Sequence, residues 1–165
     1  MWSLAGLFDE WGDRFEAHQH FQEALRLRPS FAEAHNNFGV FLEKHGAAEE
    51  AESHYRYALE LSSDYAEAHY NYAMLLEGRD VDAAELHYRA ALKLSPGYAE
   101  AHNNLGVLLH EKGDLSDAKS HYLSAIRLRP FEPQTYRNLS LLLAAMGEEE
   151  QAERYARKSD ELSSG

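Results

Sequence analysis

The chain has 165 residues, 44% of them hydrophobic and 27% charged, a composition that folds and is not that of a disordered segment. Twenty-eight acidic against sixteen basic side chains give a net charge of −12, and no concentrated basic patch offsets it, so nucleic acid is not expected as a partner. Cysteine is absent, which excludes disulfides, thiolate metal sites and a cysteine nucleophile and suits a cytoplasmic chain, and no run approaches the ~18 apolar residues of a membrane-spanning helix.

The opening residues, Met1 to Phe8, are too few and too soon followed by Asp9 and Glu10 to read as a signal peptide. Trp2, Leu4 and Phe8 read instead as part of an incomplete first helix, an apolar end on which another copy could stack. A second helix follows through Ala17 and Phe21 and stops before Pro29. At Ala32 the segment AEAHNNFGVFLEKHG begins a new helix, and it returns as AEAHYNYAMLLEGRD at Ala66 and AEAHNNLGVLLHEKG at Ala99, offsets of 34 and 33 residues. A fainter copy, PQTYRNLSLLLAAMG, starts at Pro133, another 34 on. After each copy comes a turn and a second stretch with apolar residues at helical spacing, such as Ala118, Tyr122, Ala125 and Leu128.

The periodicity therefore predicts an all-α chain of five helix-turn-helix units, at about 1–31, 32–65, 66–98, 99–132 and 133–165, in a single domain over 1–165. Ser30-Phe31-Ala32-Glu33 and Asp64-Tyr65-Ala66-Glu67 read as side-chain caps for the first helices, and Pro29, Pro96 and Pro130 end second helices. The turn after Glu77 is one residue short. Small residues recur where paired helices should touch: Gly39, Ala73, Gly106 and Ser140 in first helices, and Ala17, Ala51, Ala84, Ala118 and Ala152 in second helices. Large rings recur beside them at Phe21, Tyr55, Tyr88 and Tyr122. In the last unit Ala156, Ser159 and Asp160 replace the larger apolar pattern, so its second helix reads as a terminal cap.

This order of Leu, Gly, Tyr, Ala, ring, Ala and Pro resembles the tetratricopeptide repeat family over nearly the whole chain, with His35, His69 and His102 standing where Trp is usual. The resemblance implies a right-handed superhelical solenoid whose first helices line a concave groove, and a role in holding other polypeptides. The sixth residue of each first helix, which faces the groove in this family, is Asn37, Asn71, Asn104 and Asn138. An amide offers a donor and an acceptor in one plane and can pair with a peptide backbone without reading its side chains. The column resembles the asparagine ladder in the repeats of O-linked N-acetylglucosamine transferase. Asparagine at this position is also common in the scaffold itself, so a structural role stands beside the binding one.

Val40, Met74, Val107 and Leu141 form an apolar row along the same helices, and Arg137 is the groove cation beside an Asn. That row replaces the second Asn of chaperone-docking relatives, so a C-terminal carboxylate is not the expected ligand. Glu33, Glu67, Glu100, Glu43 and Glu77 make the face acidic and favour a neutral or basic extended segment, although the first three also suit helix capping.

Seven of the ten histidines fall in two columns, His35, His69 and His102, and His20, His54, His87 and His121. Rings in one column lie about a helix spacing apart, too far for two nitrogens on one metal, and pairs between columns such as His54 with His69 lack a supporting carboxylate motif. The expectation is neutral, partly buried rings at hairpin interfaces, no metal, and stability that falls in acid. Phosphate-loop, dinucleotide, nucleophile-elbow and zinc-protease motifs are not found, so neither a catalytic residue nor a cofactor is expected. The readings that follow are a peptide-binding scaffold or adaptor, the substrate-recruiting part of a larger enzyme such as a glycosyltransferase, and a self-associating assembly module.

Overall fold

A computed structural model of the chain describes residues 14–164; Trp2, Leu4 and Phe8 lie outside the described residues. Among the described residues there are nine helices and no strand: α1 (Arg14–Leu27), α2 (Ala32–Lys44), α3 (Ala48–Leu61), α4 (Ala66–Leu76), α5 (Val81–Leu94), α6 (Ala99–Lys112), α7 (Leu115–Leu128), α8 (Pro133–Ala145) and α9 (Glu149–Ser163). The first and second helices of the four complete units are thus α2/α3, α4/α5, α6/α7 and α8/α9. The chain divides into two compact units, residues 1–87 and 88–165, and the boundary falls within α5.

In the first unit, α2 and α3 close on one another through a missing side chain. A Cβ at Gly39 would lie 2.6 Å from Cε1 of Tyr55, whose ring is fully buried. The ring fills that space and its hydroxyl donates to Oε2 of Glu43 at 2.8 Å, so an acidic residue expected to face a ligand is held at the hairpin interface. Burial, followed by the Glu43 hydrogen bond, pushes the Tyr55 phenol above its ordinary range. Ala51 is also fully buried, as a close helix approach requires. Farther along, Tyr72 of α4 donates to Glu52 of α3 at 3.2 Å, and Arg79 pairs with Glu52 and Glu49, tying one hairpin to the next.

The second unit repeats the device. A Cβ at Gly106 would lie 2.8 Å from Cδ1 and Cε1 of Tyr122, and Ala118 is fully buried beside it. In the last hairpin both halves change together. Ser140 takes the glycine position and Ala156 the ring position, so the smaller side chain leaves room for the Ser140 hydroxyl to donate to the backbone oxygen of Ala152 at 2.8 Å. Ser159, at a position held by alanine in the earlier second helices, is buried and donates to the carbonyl of Pro133 at 2.9 Å. Lys119 of α7 reaches Glu148, at the start of α9, with contacts of 2.7 and 2.8 Å.

Three turns inside hairpins share one closure. Gly46, Gly113 and Gly147 have φ of 81°, 87° and 77°, and the next residue donates its N–H to the carbonyl five positions back: Ala47 to Leu42, Asp114 to Leu109 and Glu148 to Leu143. This satisfies a carbonyl that the helix end leaves open. The shortened turn after α4 lacks the left-handed glycine. There Asp80 donates its N–H to the carbonyl of Leu76 at 2.8 Å, and its side chain accepts from the N–H of Ala83 at 3.0 Å, capping α5.

The expected side-chain caps of α2 and α4 do not form. The cap residues are Phe31 and Tyr65, neither with a side-chain cap bond, and Ser30 and Asp64 lie one position too early. Both rings are half-buried, so the position serves packing instead. Glu33, Glu67 and Glu100 sit in the first turns, where the helix dipole favours a carboxylate without a specific bond.

The glycine–tyrosine closure predicts that Gly106→Ala destabilises the chain by about 1–3 kcal/mol, since the ring must shift to admit the methyl group. In a Tyr122→Ala background the same change should cost little. A double-mutant cycle read by chemical denaturation checks this, and additive costs would show that the ring is not what excludes the methyl group.

Candidate functional site

The first helices of consecutive hairpins touch within each unit, α2 with α4 and α6 with α8, so each unit presents a face made of two first helices. The first carries Asn37, Val40, Asn71 and Met74, and the second Asn104, Val107, Asn138 and Leu141. Val40 is 42% exposed, Met74 40% and Leu141 58%, whereas Val107 is half-buried. These are large apolar side chains left partly in water by helices whose other faces bury theirs.

All four column asparagines are half-buried, and their amides are tied into the structure. Asn71 donates through Nδ2 to Oδ1 of Asn36 at 2.9 Å. Asn36 is fully buried and donates in turn toward Oδ1 of Asn37 at 3.4 Å and the hydroxyl of Tyr65 at 3.5 Å. The second unit matches it: Asn138 donates to Oδ1 of Asn103 at 3.1 Å, and Asn103 to Oδ1 of Asn104 at 3.2 Å. Asn104 also donates to the Tyr88 hydroxyl at 3.4 Å, and Gln134 donates to Oδ1 of Asn138 at 2.9 Å.

Asn36 and Asn103 were not singled out by the sequence reading, yet they link neighbouring hairpins. Their signal is the doublet: Asn36-Asn37 and Asn103-Asn104 alternate with Tyr70-Asn71 and Arg137-Asn138. A hairpin with two asparagines supplies the acceptor, and the next hairpin supplies the donor.

Carboxylates gather at one edge of the first unit's face. Burial, then the charges of Glu67 and Glu33, pushes the Tyr65 phenol up to about 12. Glu100, by contrast, is ion-paired with Arg129. Arg137 is exposed and lines an open cavity of about 570 Å³ with Gln134, Leu141 and Asp160 at the end of the last hairpin.

The histidines pair within hairpins, and the partner of His69 is His87 rather than His54. Nδ1 to Nδ1 distances are 2.8 Å for His35–His54, 2.8 Å for His69–His87 and 2.9 Å for His102–His121. Residues 18 or 19 apart stand opposite each other in an antiparallel pair of helices, which brings the two columns together inside one hairpin. Burial is the first cause holding His35, His54, His87 and His102 below the ordinary imidazole range, with His54 and His87 at about 4. Among the described residues no group of three or more His, Cys, Asp or Glu side chains is arranged to hold a metal, and no helix is long and apolar enough to cross a membrane.

The amide link between hairpins predicts different costs for two substitutions at Asn71. Asn71→Ala removes the donor to Asn36, a loss of about 1–3 kcal/mol. Asn71→Asp sets a charged acceptor against the Asn36 carbonyl and should lower Tm further. Equal melting temperatures for both variants and the wild type would mean that the link contributes nothing.

The profile described as tetratricopeptide repeat matches residues 12–66, 48–99 and 74–133. No curated protein matches the chain. Among solved structures, MamA is 22% identical with a TM-score of 0.87, covering 97% of this chain and 94% of its own. PilF of Pseudomonas aeruginosa is 24% identical with a TM-score of 0.89, over 97% and 73%. YrrB, described as a TPR protein with an unusual peptide-binding site, is 20% identical with a TM-score of 0.79, over 97% and 83%. These likenesses show the fold, an all-α helix-turn-helix solenoid. Matched over more than half its length, with its small-to-large interlock present in two hairpins, the chain belongs to the tetratricopeptide repeat family.

Proposed function

We propose that the chain is a non-catalytic protein-interaction scaffold that binds an extended polypeptide on the faces of its first helices, through Asn37, Asn71, Asn104 and Asn138 with Val40, Met74 and Val107. The observation that carries this reading is the coexistence of anchored amides and exposed apolar side chains on the same helices. Asn71 is held by its N–H to Asn36, while its carbonyl oxygen meets no donor among the described residues. An amide fixed on its donor side is preorganised to accept from an outside N–H, which lowers the ordering cost of binding. Oδ1 of Asn37 and of Asn138 each accepts one hydrogen bond and, with two lone pairs, can accept a second.

The apolar residues give the ligand a side-chain contact. Val40 and Met74 belong to adjacent helices, which pack roughly 8–10 Å apart, a spacing that about three residues of extended chain bridge. Glu33 and Glu67 are exposed on the same first helices and favour a neutral or basic segment by charge. YrrB, of the same fold, is described by its own peptide-binding site and keeps company with this reading.

Twelve-residue peptides selected from a random library against the intact chain supply the probe. The expected Kd is micromolar, and Val40→Gln with Met74→Gln should weaken binding at least tenfold, about 1.4 kcal/mol, with little change in Tm. Replacing single peptide N–H groups by N-methyl should weaken binding at about every third residue. Binding that ignores both the variants and N-methylation would overturn the reading and place the ligand elsewhere.

A further inference from the structure

We propose that the three histidine pairs are proton-operated latches that hold their hairpins closed near neutral pH and release them in mild acid. The inference stands apart from what the chain binds. It begins with protonation states that geometry dictates. In each first-helix histidine, Nε2 lies against a backbone carbonyl: His35 on Pro29 at 2.9 Å, His69 on Ser63 at 3.2 Å and His102 on Pro96 at 3.2 Å. A carbonyl only accepts, so Nε2 carries the hydrogen and the Nδ1 of the neutral ring is bare. The hydrogen between the two Nδ1 atoms therefore belongs to the second-helix ring, His54, His87 or His121.

Such a pair tolerates one added proton and not two. The first adds to the bare Nε2 of the second-helix ring, which becomes imidazolium and keeps donating through Nδ1, so the hydrogen bond survives; only the first-helix Nδ1 is then left to take another. A second proton sets two N–H groups and two positive charges against each other at 2.8–2.9 Å, and the bond is lost.

The surroundings oppose charging. His54 meets the ring of Phe38 from α2, and His18 of α1 also disfavours a charge on it; Tyr57 of α3 stands edge-on to His35. His87 packs on Tyr72 of α4, and Arg127 of α7 acts against charge on His102. The side chains acting electrostatically on the rings with resolved shifts are other histidines and Arg127, all of which disfavour a charge there, and none is a carboxylate that would hold imidazolium in place.

The last hairpin shows that packing alone does not call for histidine. Tyr136 and Tyr155 occupy the equivalent positions with ring centroids 6.1 Å apart, and the Tyr136 hydroxyl donates to the carbonyl of Pro130 at 2.9 Å. The anchor to the carbonyl six residues back is thus kept by a phenol in place of an imidazole. What the other three hairpins gain from histidine is response to protons.

The folded rings with lowered pKa stabilise the chain fully above the unfolded histidine range near 6.5, and that stabilisation is lost as pH falls from there toward about 4. The test copies the last hairpin into the other three: H35Y/H54Y, H69Y/H87Y and H102Y/H121Y, together and pair by pair. Between pH 7.5 and 5.5 the wild-type Tm should fall by about 5–10 °C, and the sixfold variant should fall by less than half as much. Should the sixfold variant not fold, H102Y/H121Y alone should suppress the acid-induced rise in amide exchange of the α6/α7 hairpin. Nitrogen-15 spectra at pH 7.5 should show Nε2–H on His35, His69 and His102 and Nδ1–H on their partners. Equal acid sensitivity in wild type and tyrosine variants, or the opposite tautomers, would overturn the proposal.

Discussion

The close approach of two helices over a glycine is the constraint on which the other contacts depend. At Gly39 and Gly106 the opposing tyrosine occupies the volume that any side chain would need. In the same two hairpins residues 19 apart face each other, His35 with His54 and His102 with His121. The close approach also places the Tyr55 hydroxyl on Glu43. The last hairpin keeps the packing by exchanging both partners, with Ser140 and Ala156 in place of glycine and tyrosine. The pair changes as a unit there, and a hydroxyl-to-backbone hydrogen bond stands where the ring filled space in the earlier hairpins.

Much of this architecture was legible because a repeat writes its core several times. One buried alanine says little, but Ala51, Ala84, Ala118 and Ala152 at a common offset define a contact line, and all four are buried. The helix ends were harder to read. Ser30 and Asp64 have the chemistry of caps, yet the helices begin one residue later, because the half-buried rings of Phe31 and Tyr65 occupy the cap position. A competition between capping and packing, offset by one residue, is not written in the local pattern.

The candidate face was legible in part for a related reason. The asparagine column stood out because it recurs, and its exposure to neighbours follows from its position on the helix. Its partners were hidden: Asn36 and Asn103 occur in alternate hairpins and act on residues 35 positions away. Likewise, two histidine columns were visible, but which ring meets which depends on the antiparallel register inside a hairpin. Periodicity reports positions that repeat within the chain; it is silent on the cross-links those positions make.

The amide network also bears on how such a face works. A free asparagine side chain loses rotamer freedom when it grips a backbone, and a weak hydrogen bond hardly offsets that loss. Here the ordering is already done in folding, by Asn36 for Asn71 and by Asn103 for Asn138. Structural and binding readings of the column are therefore not rivals, since the bond that joins hairpins is what makes the remaining carbonyl a fixed acceptor. On the proposed reading an alanine at Asn71 disturbs packing and recognition together, whereas the exposed Val40 and Met74 can be changed with the frame intact. Under the proposed role, recognition is separable from stability at the apolar residues and inseparable from it at the amides.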